Sequence, residues 1–407
     1  MNRYSISLII FFSFIFSNAN EKNIKDFVGF FNFSYDQSND KIFLMVDKID
    51  HEFLYVSSLA TGVGSNDIGL DRGQLGSERL VKFIKRGNKL LLVQPNLYYR
   101  AETENLSEKK SVDQAFAKSV LFGFEIMDKN EDSYKIDFTP FLKYDRHGVA
   151  KTLKNKNQGS YSVDLSKSSI EMFNTKAFPR NVEFEALLTF SGDAKGNLVR
   201  SVVPDPNNIT VIQHHSFIQL PDNDYQPRKF DPRSGAIFIE FMDYSTPVNK
   251  EMVKKYIIRH RLKKKNSSLA VSEPVEPIIY YLDSGTPEPV KSALIDGASW
   301  WNEAYESIGF KNAFQVKVLP ENIDPMDCRY NVIQWVHRST RGWSYGASVV
   351  DPRTGEIIKG HVSLGSLRIR QDYMIAQALS KDPFKNNSNN EKMLDLALSR
   401  IRQLSAH

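Results

Sequence analysis

From residue 27 to about residue 241 the sequence is a succession of short apolar runs separated by turn residues. Runs at 41–46, 53–58, 80–84, 89–93, 133–138, 183–190 and 209–220 are bounded by strings such as Arg86-Gly87-Asn88 and Ser191-Gly192-Asp193-Ala194. Strands of this length, joined by tight turns, bury their apolar faces most readily by pairing with one another. The rhythm predicts an antiparallel β-rich domain, interrupted by one helix at 112–121. Gly62, Gly64, Gly69, Gly73 and Gly76 make a tightly turned or flexible loop. A phosphate cradle would need a strand before it, a helix after it and a Gly-Lys-Ser/Thr string, and that string is missing.

The pattern changes near residue 263. A helical spacing at 252–262 runs into Lys263-Lys264-Lys265-Asn266-Ser267-Ser268 and then Glu273-Pro274-Val275-Glu276-Pro277. Polar and proline-containing, 263–277 reads as a linker between a β-rich domain at 20–262 and a second domain at 278–407. In the second, Ile278-Ile279-Tyr280-Tyr281-Leu282 has the continuous apolar character of a buried strand. Thr286-Pro287-Glu288 offers a helix N-cap, a proline for the first turn and an acid near the positive end of the helix dipole. Val290, Leu294, Gly297, Trp301, Ala304, Tyr305 and Ile308 then share one apolar face, which Gly309 closes.

Strands at 314–319 and 331–337 lead to a hairpin, 342–350 and 356–364, around Asp351-Pro352-Arg353-Thr354-Gly355. The final segment, with Ser388-x-x-Glu391 as a capping box, places Met393, Leu394, Ala397, Ile401 and Leu404 at helical spacing. His407 stands at the margin of that stripe, on a helix with no cap or stop signal, which reads as cut. The turn string has a twin, Asp231-Pro232-Arg233-Ser234-Gly235, also followed by a β run. It therefore reports a turn, not a chemistry. The fold class expected is α+β.

The hairpin around Asp351-Pro352-Arg353-Thr354-Gly355-Glu356-Ile357 and the ending Arg400-Ile401-Arg402-Gln403-Leu404-Ser405-Ala406-His407 resemble a family of secreted bacterial zinc-dependent metalloproteases, metzincin-like in their catalytic half. The resemblance extends upstream through Ser57-Ser58-Leu59-Ala60-Thr61-Gly62, His214-His215-Ser216-Phe217 and Trp335-Val336-His337-Arg338. It implies that 278–407 is an incomplete zincin-like subdomain, a mixed sheet backed by helices. His407 would be the first His of H-E-x-x-H and a zinc ligand. In that motif two imidazoles one helical turn apart bind the metal, and the Glu between them handles the proton of its water. The resemblance also implies a peptide or protein substrate laid along the sheet edge at Tyr345, Gly346, Ala347, Ser348 and Val349, where unpaired backbone groups accept one more strand. A single imidazole does not hold zinc. The expectation for this chain is no stably bound zinc, no catalytic residue and no activity by itself.

Arg3, an apolar core at 6–16 and Ser17-Asn18-Ala19 mark 1–19 as a cleaved signal peptide, too short to span a bilayer. A secreted or periplasmic protein without a membrane span follows. Cys328 is the only cysteine, so no internal disulfide forms. The net charge of +5 comes partly from one basic run at 259–265, which reads as a solvated segment; nothing supports nucleic-acid binding.

Among the other histidines, His214 and His215 are strand neighbours pointing to opposite faces, so they do not share one ion and at least one is structural. His51 has Tyr55 where a second His would stand. His337 and His361 lack a donor at ligand spacing, and His147 and His260 lie in turn-like or basic surroundings. Trp300, Trp301, Trp335 and Trp343 read as packing residues. Two function classes follow: part of a zinc metalloendopeptidase, or a non-catalytic β-rich binding module with a remnant protease domain. The half before residue 273 is expected to be the more stable one.

Overall fold

The computed structural model describes residues 23–65, 67–130, 132–337, 344–379 and 390–407. Residues 1–19, read as a signal peptide, and Trp343 and Ser388 lie outside them. The fold is α+β, and every strand run expected before residue 241 is found.

Twelve strands form one antiparallel sheet. At one end stand Ile24–Phe27, Asn32–Asp36 and Lys41–Val46. At the other, Gly159–Val163 and Ser169–Ala177 both pair with the long strand Asn181–Ala194. The ends are tied together: Phe30 N–H donates to Phe178 O at 2.9 Å, and the Ile170 N–H donates to the Asp40 carboxylate at 3.2 Å. Alternation then sends one face inward. Phe31, Phe53, Phe83, Phe138, Phe184 and Phe217 are fully buried there, with ring centroids 5.2 Å apart for Phe31–Phe53 and 5.1 Å for Phe53–Phe217. The strand Glu52–Leu59 lies mid-sheet, paired with Leu75–Arg86 on one side and Asn208–Gln219 on the other.

Expected elements are corrected at several places. The helix read at 112–121 is Leu106–Ala115, because the Asn105 side chain caps it by accepting from Ser107 and Glu108 N–H. Val120, Leu121, Phe122 and Phe124 belong to the strand Ser119–Lys129, paired with Lys89–Gln94. The helix read at 252–262 is the strand Val253–Ile257, antiparallel to Phe238–Asp243. Its Val, Tyr and Ile fit either period, and an available partner strand decided the outcome. The segment 263–277, read as a linker, is folded. Lys265 N–H donates to Glu273 O and Val275 N–H to Lys263 O, and the loop is pinned by Ser272 N–H to Gly309 O at 3.1 Å.

The second half holds a five-stranded sheet in the order Phe314–Val318, Ile278–Leu282, Asn331–Val336, Ile357–Gly365, Tyr345–Val350. The first four run parallel, and the last is antiparallel at the edge. The helix Val290–Ser307 and the terminal helix Asn390–Ala406 cover one face. Val290, Leu294, Leu398 and Ile401 join Leu282, Ile333 and Leu364 in one buried cluster. The first helix begins at Val290 and not at Thr286, with the Glu288 carboxylate accepting from Ser292 N–H at 3.3 Å. The two helices cross at Gly297, where a Cβ would lie 2.0 Å from Arg402 O. Only glycine allows that approach. Trp335 is partly buried against this cluster, whereas Trp300 and Trp301 stay about half exposed.

Candidate functional site

The two halves meet across the outer face of the large sheet. Leu54, Val56, Leu80, Ile218 and Leu220 of the β-rich half enclose Cys328 and Val349 of the other in one buried cluster. Cys328 is structural: burial pushes its thiol up to about 12, and its N–H donates to Asn181 Oδ1 at 3.1 Å.

Beside this apolar patch lies a buried polar one. Glu183 and Glu185 alternate with the inward Val182, Phe184 and Ala186, so both carboxylates point to the outer face. His214, in register with Glu185 on the neighbouring strand, reaches both. Its Nε2 lies 2.6 Å from Glu183 Oε2 and its Nδ1 3.1 Å from Glu185 Oε1. Burial alone would lower the imidazole's pKa, but the hydrogen bonds and charges of the two carboxylates outweigh it and raise it to about 9. Ser216 and Asn181 also bond Glu183, and Asn174 bonds Glu185 at 3.2 Å. Across the interface, buried Lys359 donates to the carbonyls of Pro325 and Asp327, and its burial lowers its ammonium pKa. Lys176 pairs with Asp324 at 2.5 Å.

His215 faces the opposite way, as strand geometry requires. It sits in the Phe-lined interior, Nδ1 2.9 Å from Tyr55 Oη and Nε2 3.1 Å from the Gln213 amide, and burial pushes it down to about 3. His260 bonds Tyr280 Oη at 3.0 Å, and His337 Nδ1 bonds Ser366 Oγ at 2.8 Å. His361 is pushed down to about 4, by burial first and by Lys359 second.

The edge strand comes next. Gly346 is exposed and Tyr345, Ala347 and Ser348 are half-buried, but Val349 and Val350 are only 6% and 5% exposed. Four of the five residues read as substrate-binding are thus at least partly accessible, while the Val349 side chain packs into the interface. The β-rich half touches this hairpin at several places. A Cβ on Gly73 would lie 3.8 Å from Tyr345 Oη. Val350 N–H donates to Glu78 Oε1 at 3.3 Å. Arg100, its guanidinium 4.0 Å from the Phe241 ring centroid, donates to Pro352 O at 2.6 Å and Arg353 O at 3.0 Å. The turn itself closes on Asp351, whose carboxylate takes the Arg353 N–H and guanidinium, with Gly355 left-handed at φ +81°. The twin turn uses the same contacts at Asp231 and Arg233 and also ends on a left-handed glycine, Gly235.

His407 is exposed at the end of the terminal helix, its N–H 3.3 Å from Gln403 O. Trp301 Nε1 holds that end by donating to Ala406 O at 2.7 Å. Among the described residues no group of three His, Cys, Asp or Glu side chains is placed to hold a metal ion. No helix among them is long and apolar enough to cross a membrane.

Glu78, Arg100, Lys359 and the Glu183–His214–Glu185 array were not anticipated from sequence. The available signal was the pair of acids at alternate positions in an otherwise apolar strand, opposite a histidine. No curated protein and no solved structure matches the chain. Residues 73–265 match a family described as Domain of unknown function (DUF5117).

Proposed function

We propose that this chain supplies the β-rich half and the substrate edge of a secreted or periplasmic zinc-dependent metalloendopeptidase. The observation that carries the reading is the order of the five-stranded sheet: four parallel strands and one antiparallel edge strand, Tyr345–Val350, with the helix Asn390–Ala406, directly before His407, packed across the sheet's helical face. An antiparallel edge strand takes an extended peptide as one more strand, through backbone hydrogen bonds that do not depend on side-chain identity. In this reading Tyr345, Gly346, Ala347 and Ser348 bind and orient the substrate, and His407 is one zinc ligand. The catalytic Glu and the further ligands that the resemblance implies are not among residues 1–407. The chain by itself is therefore proposed to bind substrate and not to cleave it.

The coding DNA beyond codon 407 tests this directly. Codons for Glu-x-x-His following His407, in frame or after a frame shift, support the reading. Their absence in every frame contradicts it.

A further inference from the structure

Glu78 is a carboxyl in an unfavourable place. It lies on Leu75–Arg86 opposite Val56, against the apolar cluster that joins the two halves. Its burial is the dominant influence on it, and the Val350 N–H is the group that favours its charge. Burying a carboxylate without a cation costs more than burying an amide or an apolar side chain of similar size. The group that receives its oxygen is a backbone donor on the edge strand, at the register shift between Val349 and Val350.

We propose that Glu78 is the stop that ends the peptide edge. Its Oε1 takes the Val350 N–H in the way a docked peptide's carbonyl would, so that an added strand pairs with Tyr345–Ser348 and no further. At the other end the glycine-rich loop approaches Tyr345 through Gly73. The distance between these two contacts along the strand matches an extended segment of about four residues, at roughly 3.3 Å per residue. The β-rich half thereby sets the length of substrate engaged. This rests on the reading of Tyr345–Val350 as a peptide edge, and it adds a specificity-determining residue from the other half of the chain.

The test is amide hydrogen exchange on the full chain, with and without the probe peptide acetyl-Thr-Val-Thr-Val-Thr-Val-amide. In the wild type, Val350 is protected without peptide, and the peptide adds protection only within 345–348. In Glu78→Ala, Val350 exchanges about tenfold faster, the loss of one hydrogen bond, and peptide protection spreads to 349–350. Glu78→Gln, which keeps an accepting oxygen, restores the wild-type pattern. Equal Val350 rates in all three chains overturn the proposal, as does wild-type peptide protection that reaches Val350. If the peptide protects no edge amide in any chain, the peptide-edge reading falls, and the stop with it. The Val350 rates then report only whether Glu78 holds that donor.

Discussion

His214 Nε2 lies 2.6 Å from Glu183 Oε2, and its other ring nitrogen meets Glu185. Protonated, this imidazole donates one N–H to each of two buried carboxylates at the join between the halves. The imidazole's pKa is raised from 6.5 to about 9. Its contribution is therefore complete below about pH 6.5 and lost as pH rises through about 9. Melting temperature measured from pH 7 to 10 should fall more steeply in the wild type than in His214→Gln. The variant should be less stable at pH 7, by several degrees for a site this buried. Parallel curves for the two chains would show that His214 is not charged in the folded state.

Glu78 also loses stability as pH rises, but here because the fold disfavours its charge. Its pKa rises from 4.5 to about 7, mainly through burial. Below pH 4.5 the carboxyl is neutral folded or unfolded. Above pH 7 the folded state carries a buried charge, at a cost on the order of 3 kcal/mol. Glu78→Gln should match the wild type near pH 4.5 and be more stable at pH 8, by denaturant unfolding at both values. A variant less stable at pH 8 would contradict the assignment.

The strands of the β-rich half were legible because turn strings such as Arg86-Gly87-Asn88 punctuate them. The opposed directions of His214 and His215 follow from the two-residue period of a strand. Their partners do not. Glu183 and Glu185 look like solvent-facing positions until the second half of the chain covers that face, and Val350 and Glu78 are 272 residues apart. The segment at 252–262 misled because Val253, Tyr256 and Ile257 satisfy helical and extended spacing alike, and the choice lay in a partner strand. Lysine and proline at 263–277 suggested a linker, and the pairing of Lys265 with Glu273, which folds it back on itself, was not legible.

The family match at 73–265 is smaller than the folding unit. It omits Glu52–Leu59, which lies between Leu75–Arg86 and Asn208–Gln219, and it omits the first three strands. A polypeptide of residues 73–265 would have to close a gap in mid-sheet and expose the Phe core. It should give no cooperative thermal transition. The full chain should melt in one transition, since the apolar and polar clusters of the interface are shared, and protease should not cut first at 263–277. Early cleavage there would favour the expectation of two unequal halves, and a folded 73–265 fragment would contradict the requirement for the central strand.

We propose that this chain is the substrate-binding part of a zinc metalloendopeptidase. The most direct measurement is peptide-bond hydrolysis of an unfolded protein such as reduced casein, with added zinc and with a chelator. It is made on the chain itself and on the chain continued through a Glu-x-x-His segment and the residues its gene encodes beyond. The prediction is no turnover by the first, and chelator-sensitive turnover by the second that His407→Ala abolishes. Chelator-sensitive cleavage by residues 1–407 alone, or a continued chain that binds no zinc and cleaves nothing, would contradict this proposal.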